Sequence, residues 1–136
     1  MRAIRIERFG GPEVLQLVDI EKPIAGENEV LIRVVAAGIN YADTHQTEDS
    51  YLAPQQLPLI PGAEVVGFDP EDKRVVALVP GGGYAELVAA PRSLTFEIPD
   101  DVSDGAALAT ILQGTTAWHI LHTCAHIQSE IGRAHV

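Results

Sequence analysis

The sequence predicts a mainly β domain that closes with a helical segment, and three observations carry that reading. Twelve glycines and nine prolines are spread along 136 residues, cutting the chain into the short pieces of a turn-rich sheet domain. Apolar residues alternate with charged ones at Ile4 and Ile6, and recur at every second position at Val30, Ile32 and Val34, the period of a strand. After Pro99 the composition turns alanine-rich and helical. Strands come first and helix last, with no alternating strand–helix units, so no doubly wound nucleotide-binding unit fits inside these residues.

The elements follow in order. Ile4 and Ile6 mark the first strand, Gly10-Gly11-Pro12 a turn, and Leu15 and Leu17 around Gln16 a second strand. Residues 23–28 read as a loop. The next strand sets Val30, Ile32 and Val34 on one face and Leu31, Arg33 and Val35 on the other. Between Gly38 and Pro61 the alternation vanishes, and polar and aromatic residues boxed between apolar strands predict a long functional loop. Strands resume at residues 64–68, 74–79, 84–90 and 94–98, with turns at 69–73 and 80–83. Ser103 is the N-cap of a helix starting near Asp104, whose carboxylate suits the positive N-terminal end. Residues 106–111 are helical in composition, Gln113-Gly114 reads as a break, and residues 117–127 resume the helical period.

Charge and composition exclude several function classes. Nine basic against nineteen acidic residues give a net charge of −10, which repels phosphate backbones and anionic membranes. Nucleic acid and membrane surfaces are therefore not expected partners. No apolar run reaches the roughly 18 residues of a membrane span. One cysteine, Cys124, excludes an internal disulfide and a multi-cysteine zinc site, and points to a reduced compartment, most simply the cytoplasm.

Four constellations could carry chemistry. Gly38-Ile39-Asn40-Tyr41-Ala42-Asp43 places an amide, a phenol and a carboxylate where a strand runs out; the plain alternative is an Asx turn. Pro61-Gly62-Ala63-Glu64-Val65-Val66-Gly67 sets a carboxylate at the head of an apolar strand, where it needs a partner or water. Gly81-Gly82-Gly83-Tyr84 is followed by strand-like residues rather than a helix, so it reads as a hairpin turn and not a phosphate cradle. His119, His122 and His126 fall on one face of an ideal helix, which is metal-clamp spacing, but no carboxylate in that helix orients them and a solvated polar face serves equally.

Taken in order, Phe9-Gly10-Gly11-Pro12-Glu13-Val14-Leu15, the segment 37–44 around Asn40, the segment 61–67 around Glu64, Gly82-Gly83-Tyr84-Ala85-Glu86 and Gln113-Gly114-Thr115-Thr116-Ala117-Trp118 form a series. That series resembles the N-terminal, GroES-like catalytic domain of quinone oxidoreductases (zeta-crystallin-like) in the medium-chain dehydrogenase/reductase superfamily. The resemblance covers residues 1–128 and implies a GroES-like, partly open β-barrel with the start of a connecting helix. It also implies that the chain is truncated before a Rossmann domain. Ile131-Gly132-Arg133-Ala134-His135-Val136 leaves the family pattern and is what ATC GGA AGA GCA CAC GTC encodes, a common sequencing-adapter stretch. Residues 129–136 are accordingly expected to be a non-native tail.

The resemblance implies an activity as well. Zinc alcohol dehydrogenases of the superfamily carry Cys-His where this chain has Asn40-Tyr41, and Gly-His-Glu where it has Gly62-Ala63-Glu64. With two ligands missing, a three-ligand catalytic zinc is not expected. Without a Lewis acid, the acceptor must delocalise the charge left by hydride transfer, which suits quinones and conjugated enones. The expected parent is an NADPH-dependent quinone reductase, NADH being the other possible donor, that assembles as a homodimer; the isolated 136 residues are expected to be inactive. Asn40 is expected to act catalytically and to contact the nicotinamide, Tyr51 to donate a hydrogen bond to the substrate, and Thr116 to contact the nicotinamide. Tyr51 follows Thr47-Glu48-Asp49-Ser50 where the family commonly has a glycine-containing turn. Two other readings are an enoyl-thioester or alkenal reductase on the same scaffold, and a non-enzymatic GroES-like module that assembles into rings.

Overall fold

The computed structural model describes residues 1–128, and the expected tail at 129–136 lies outside the described residues. Among the described residues seven strands run β1 (Arg2–Arg5), β2 (Gln16–Asp19), β3 (Glu29–Ala37), β4 (Glu64–Phe68), β5 (Arg74–Leu78), β6 (Leu87–Pro91) and β7 (Thr95–Glu97). The helices are α1 (Tyr41–Thr47), α2 (Asp104–Ala109) and α3 (Thr115–Trp118). β1 and β2 form an antiparallel pair, and the other five make one antiparallel sheet in the order β6-β3-β4-β5-β7. Among the described residues the two outer strands of that sheet do not pair, so it stays open and does not close into a barrel.

β4 and β5 are apolar on both faces because both faces are covered. Val65, Val75 and Ala77 join Val30, Ile32, Val88 and Ala90 in one core. Val66 and Val76, pointing the other way, pack with Ile98, Ala107 and Leu108 of the α2 layer. Burying a valine completely contributes roughly 1.5–3 kcal/mol, so β4, in the centre of the sheet, anchors both layers. Ser103 caps α2 by accepting the Ala106 N–H, as its sequence position predicts. Arg74 then fixes the approach to α2, donating to the carbonyls of Pro99 and Val102 and pairing with Asp104 at 3.3 Å.

The structure departs from the sequence expectations in four places. The long polar segment after Gly38 contains α1, seven residues with no apolar repeat to betray a helix. Gly81-Gly82-Gly83 is not a hairpin turn, because β5 and β6 are separated by β4 and β3 in the sheet. The residues after it, Tyr84 to Glu86, bind β1: the Ile4 N–H donates to Tyr84 O and the Glu86 N–H to Arg2 O. Gln113-Gly114 does not break the helix, which passes from α2 through a π-helical widening at Thr110–Gly114 into α3, and through a second at His119–Cys124. His126 lies beyond that helical segment with φ +49°, so the three histidines do not share one helical face. Among the described residues no helix is long and apolar enough to cross a membrane.

Candidate active site

β3 ends at Ala37, and one more ladder-like bond, from the Gly38 N–H to Glu64 O at 3.1 Å, carries the chain alongside the start of β4. Asn40 then starts α1 from an extended conformation. Asp43, three residues on, accepts the Asn40 N–H through Oδ2 at 2.8 Å, the return half of a capping box. The same Oδ2 accepts from the Tyr84 hydroxyl at 2.7 Å. Asn40 is joined on both ends of its side chain: Nδ2 donates to Glu64 Oε1 at 3.0 Å, and Oδ1 accepts from Gln113 Nε2 at 3.1 Å. Four stretches of sequence thus meet in one polar cluster beneath the helical layer.

The electrostatics follow from burial. Glu64 is 1% exposed and Asp43 5%, and each has one oxygen, Oε2 and Oδ1 respectively, without a hydrogen-bond partner. Burial pushes the Glu64 carboxyl above its ordinary range, the Asn40 side-chain N–H and the Leu112 backbone N–H oppose the rise, and the nearby Asp43 charge adds to it. Burial also raises the Tyr84 phenol, and its hydrogen bond to Asp43 holds it further in the protonated, donating form. A pocket of about 190 Å³ opens beside the cluster, walled by Leu15, Ile39 and Pro61 with Asp43 and Tyr84 at its side.

Raising the folded-state pKa of Glu64 above its ordinary value of 4.5 gives a signed prediction. The contribution of this residue to stability is fully present below the unfolded pKa and is lost as pH rises through the raised folded value. Glu64→Gln, which cannot ionise, should therefore gain on the wild type as pH rises across that window and show no relative change below it. Paired denaturant titrations from about pH 3.5 to 8 check this, because the other carboxylates cancel in the difference. A flat difference across the range would show that Glu64 titrates normally.

Of the residues singled out from sequence, Asn40 sits at the centre of the cluster. Thr116 lies on α3 three residues beyond Gln113, with an exposed side chain. Tyr51 is 40% exposed in the segment after α1, and among the described residues no hydrogen bond joins it to the cluster. Sequence reading passed over two members. Gln113 was visible as part of Gln113-Gly114-Thr115-Thr116 but reads as a helix break, and Tyr84 follows a glycine run that draws attention to its turn. Among the described residues no group of three or more His, Cys, Asp or Glu side chains could hold a metal ion.

Residues 26–68, spanning β3, α1 and the central strand β4, match the alcohol dehydrogenase GroES-like domain. The quinone oxidoreductase of Lama guanicoe is 39% identical over 122 residues, covering 79% of this chain and 37% of the relative. A quinone oxidoreductase from Thermus thermophilus, solved alone and in complex with NADPH, superposes with a TM-score of 0.84 at 42% identity, over 90% of this chain and 41% of that one. The human synaptic vesicle membrane protein VAT-1 homolog-like protein superposes with a TM-score of 0.90 at 31% identity, over 94% of this chain and 45% of that one. The chain spans less than half the length of these relatives.

Proposed function

Starting from a chain that carries an alcohol dehydrogenase GroES-like domain of the quinone-oxidoreductase kind, we propose that the protein it belongs to reduces quinones or conjugated enones with NADPH and without zinc. The observation that supports this reading is the Asn40 cluster, a neutral carboxamide held at both ends by Glu64 and Gln113; by the resemblance, zinc-dependent members of the superfamily carry a metal ligand at this place in the motif.

The residues present suit a nicotinamide. Asn40 has one N–H beyond the one it gives to Glu64, and Thr116 offers an exposed hydroxyl from the helix that also delivers Gln113. Both are neutral and can act on a carboxamide as donor or acceptor. Bound there, the cofactor would supply the hydride. The chain's own part is to orient the ring through Asn40 and Thr116, and to keep the acceptor dry against Leu15, Ile39 and Pro61. Tyr51 donates to the acceptor's carbonyl oxygen as charge gathers there. A preorganised donor of that kind is worth about 3 kcal/mol. A quinone or enone spreads the incoming charge over its conjugated system, so hydrogen bonds suffice where an isolated carbonyl would call for a Lewis acid.

The test is NADPH-dependent quinone reduction by the intact protein. Asn40→Ala is expected to lower kcat/KM about 100-fold, the range seen when one positioned donor is removed. Tyr51→Phe should lower kcat with little change in the KM for NADPH, while unchanged turnover in that variant would take Tyr51 out of the mechanism. Profiling quinones against alkenals and enoyl thioesters identifies the acceptor. Stoichiometric zinc whose removal abolishes activity would overturn the zinc-free reading.

A further inference from the structure

An asparagine carboxamide has two orientations of nearly the same shape, exchanged by turning its end over, which differ only in where N–H and C=O point. At Asn40 the neighbours tell the two apart. Gln113 Nε2 donates to Oδ1, and Nδ2 donates to Glu64 Oε1. Turned over, the Asn40 carbonyl would face the Glu64 carboxyl oxygen and its NH2 would face the NH2 of Gln113, two contacts of like polarity at hydrogen-bond distance. Turning both amides over together repairs the Gln113 contact but still sets carbonyl against carboxylate. Gln113 reaches Asn40 across 73 residues of sequence, from the π-helical widening at Thr110–Gly114.

We propose that Gln113 is a positioning residue that, acting against Glu64, locks the Asn40 carboxamide in one orientation, so that any ligand meets its remaining N–H in a fixed place. Glu64 alone holds the amide from one side and leaves its oxygen end unclaimed; Gln113 supplies the second point. The residue is itself exposed, so its substitution tests the hydrogen bond and not the core. The lock is a property of this cluster, and only its effect on turnover rests on the proposed contact between Asn40 and the nicotinamide.

Asn28 is the other asparagine of this chain, and the Asn40 amide is observed by difference. The intact protein is labelled with ¹⁵N-asparagine, and the Asn40 side-chain pair is identified by its loss in Asn40→Asp. Two variants are compared: Gln113→Leu removes the donor, and Gln113→Glu keeps the shape but presents an acceptor to Oδ1. In Gln113→Leu the Asn40 NH2 protons are expected to exchange with solvent at least tenfold faster. In Gln113→Glu the pair should shift because Oδ1 then faces an acceptor in place of its donor, and kcat/KM should fall about tenfold in both. If the Asn40 signals and exchange rates are unchanged in both variants, the lock does not exist, whatever happens to turnover. If the signals respond and turnover does not, the lock stands and the cofactor role of Asn40 falls.

Discussion

Gly67→Ala is expected to destabilise the protein by about 3 kcal/mol, the upper range for forcing atoms into a packed site, and to lower Tm by roughly 10 °C. Gly67 lies in β4 opposite Val34 of β3, next to the irregularity between Val34 and Ala36. A Cβ added there would overlap the backbone carbonyl of Arg33 and come within 2.8 Å of Ile32 Cγ2. The first obstacle is main chain, so relief requires β3 and β4 to separate, and these two central strands tie both cores together. Gly105 supplies the control. It lies inside α2 with nothing within 4 Å of an added Cβ, so Gly105→Ala should raise stability by roughly 0.5–1 kcal/mol through helix propensity. Thermal and denaturant unfolding of both variants check the pair, and a Gly67→Ala protein as stable as the wild type would mean that the β3–β4 spacing is wrong.

The contrast between these two glycines marks what local sequence can reveal. Helix α2 was legible from Ser103 and Asp104, because an N-cap and a first-turn carboxylate act on backbone within four residues. β4 was legible as an apolar run headed by Glu64, between Pro61-Gly62 and the polar turn at 69–73. Helix α1 was not, although Asn40 with Asp43 three residues later is a capping signature, because Tyr41-Ala42-Asp43-Thr44-His45-Gln46-Thr47 has no apolar stripe. The hairpin expected at Gly81-Gly82-Gly83 failed for a different reason. Strand order is decided by pairing between residues far apart, and nothing within that turn records that β6 joins β3 and β5 joins β4.

The candidate site divides along the same line. Asn40, Asp43 and Glu64 each stood out where a polar group meets an apolar strand, since burial forces such a group to find a partner. Which partner it finds was beyond sequence. Glu64 lies 24 residues from Asn40, Tyr84 lies 41 from Asp43, and Gln113 lies 73 from Asn40. A glutamine before a glycine has the composition of a break. It becomes part of a cluster only through the fold, which sets the turn at Thr110–Gly114 within hydrogen-bond reach of Asn40.

Gly38→Ala should disable that cluster from outside it, at a cost of about 2–4 kcal/mol. The added Cβ would overlap Cγ, Cδ and Oε1 of Glu64. Unlike the Arg33 carbonyl, this obstacle is a side chain, but one that is 1% exposed and held by Asn40. The carboxyl must therefore leave Asn40 Nδ2, and a buried polar group stripped of its partner costs about 1–3 kcal/mol. Truncating the obstacle should restore what the methyl takes away: in Gly38→Ala/Glu64→Ala the two lesions occupy the same volume, so the double variant should be more stable than the sum of the singles by about 1–3 kcal/mol. The double-mutant cycle reads that coupling directly. Additive effects would place the Gly38 backbone farther from the Glu64 carboxyl than the structure does, and with it the strand end that aims Asn40 at its two partners.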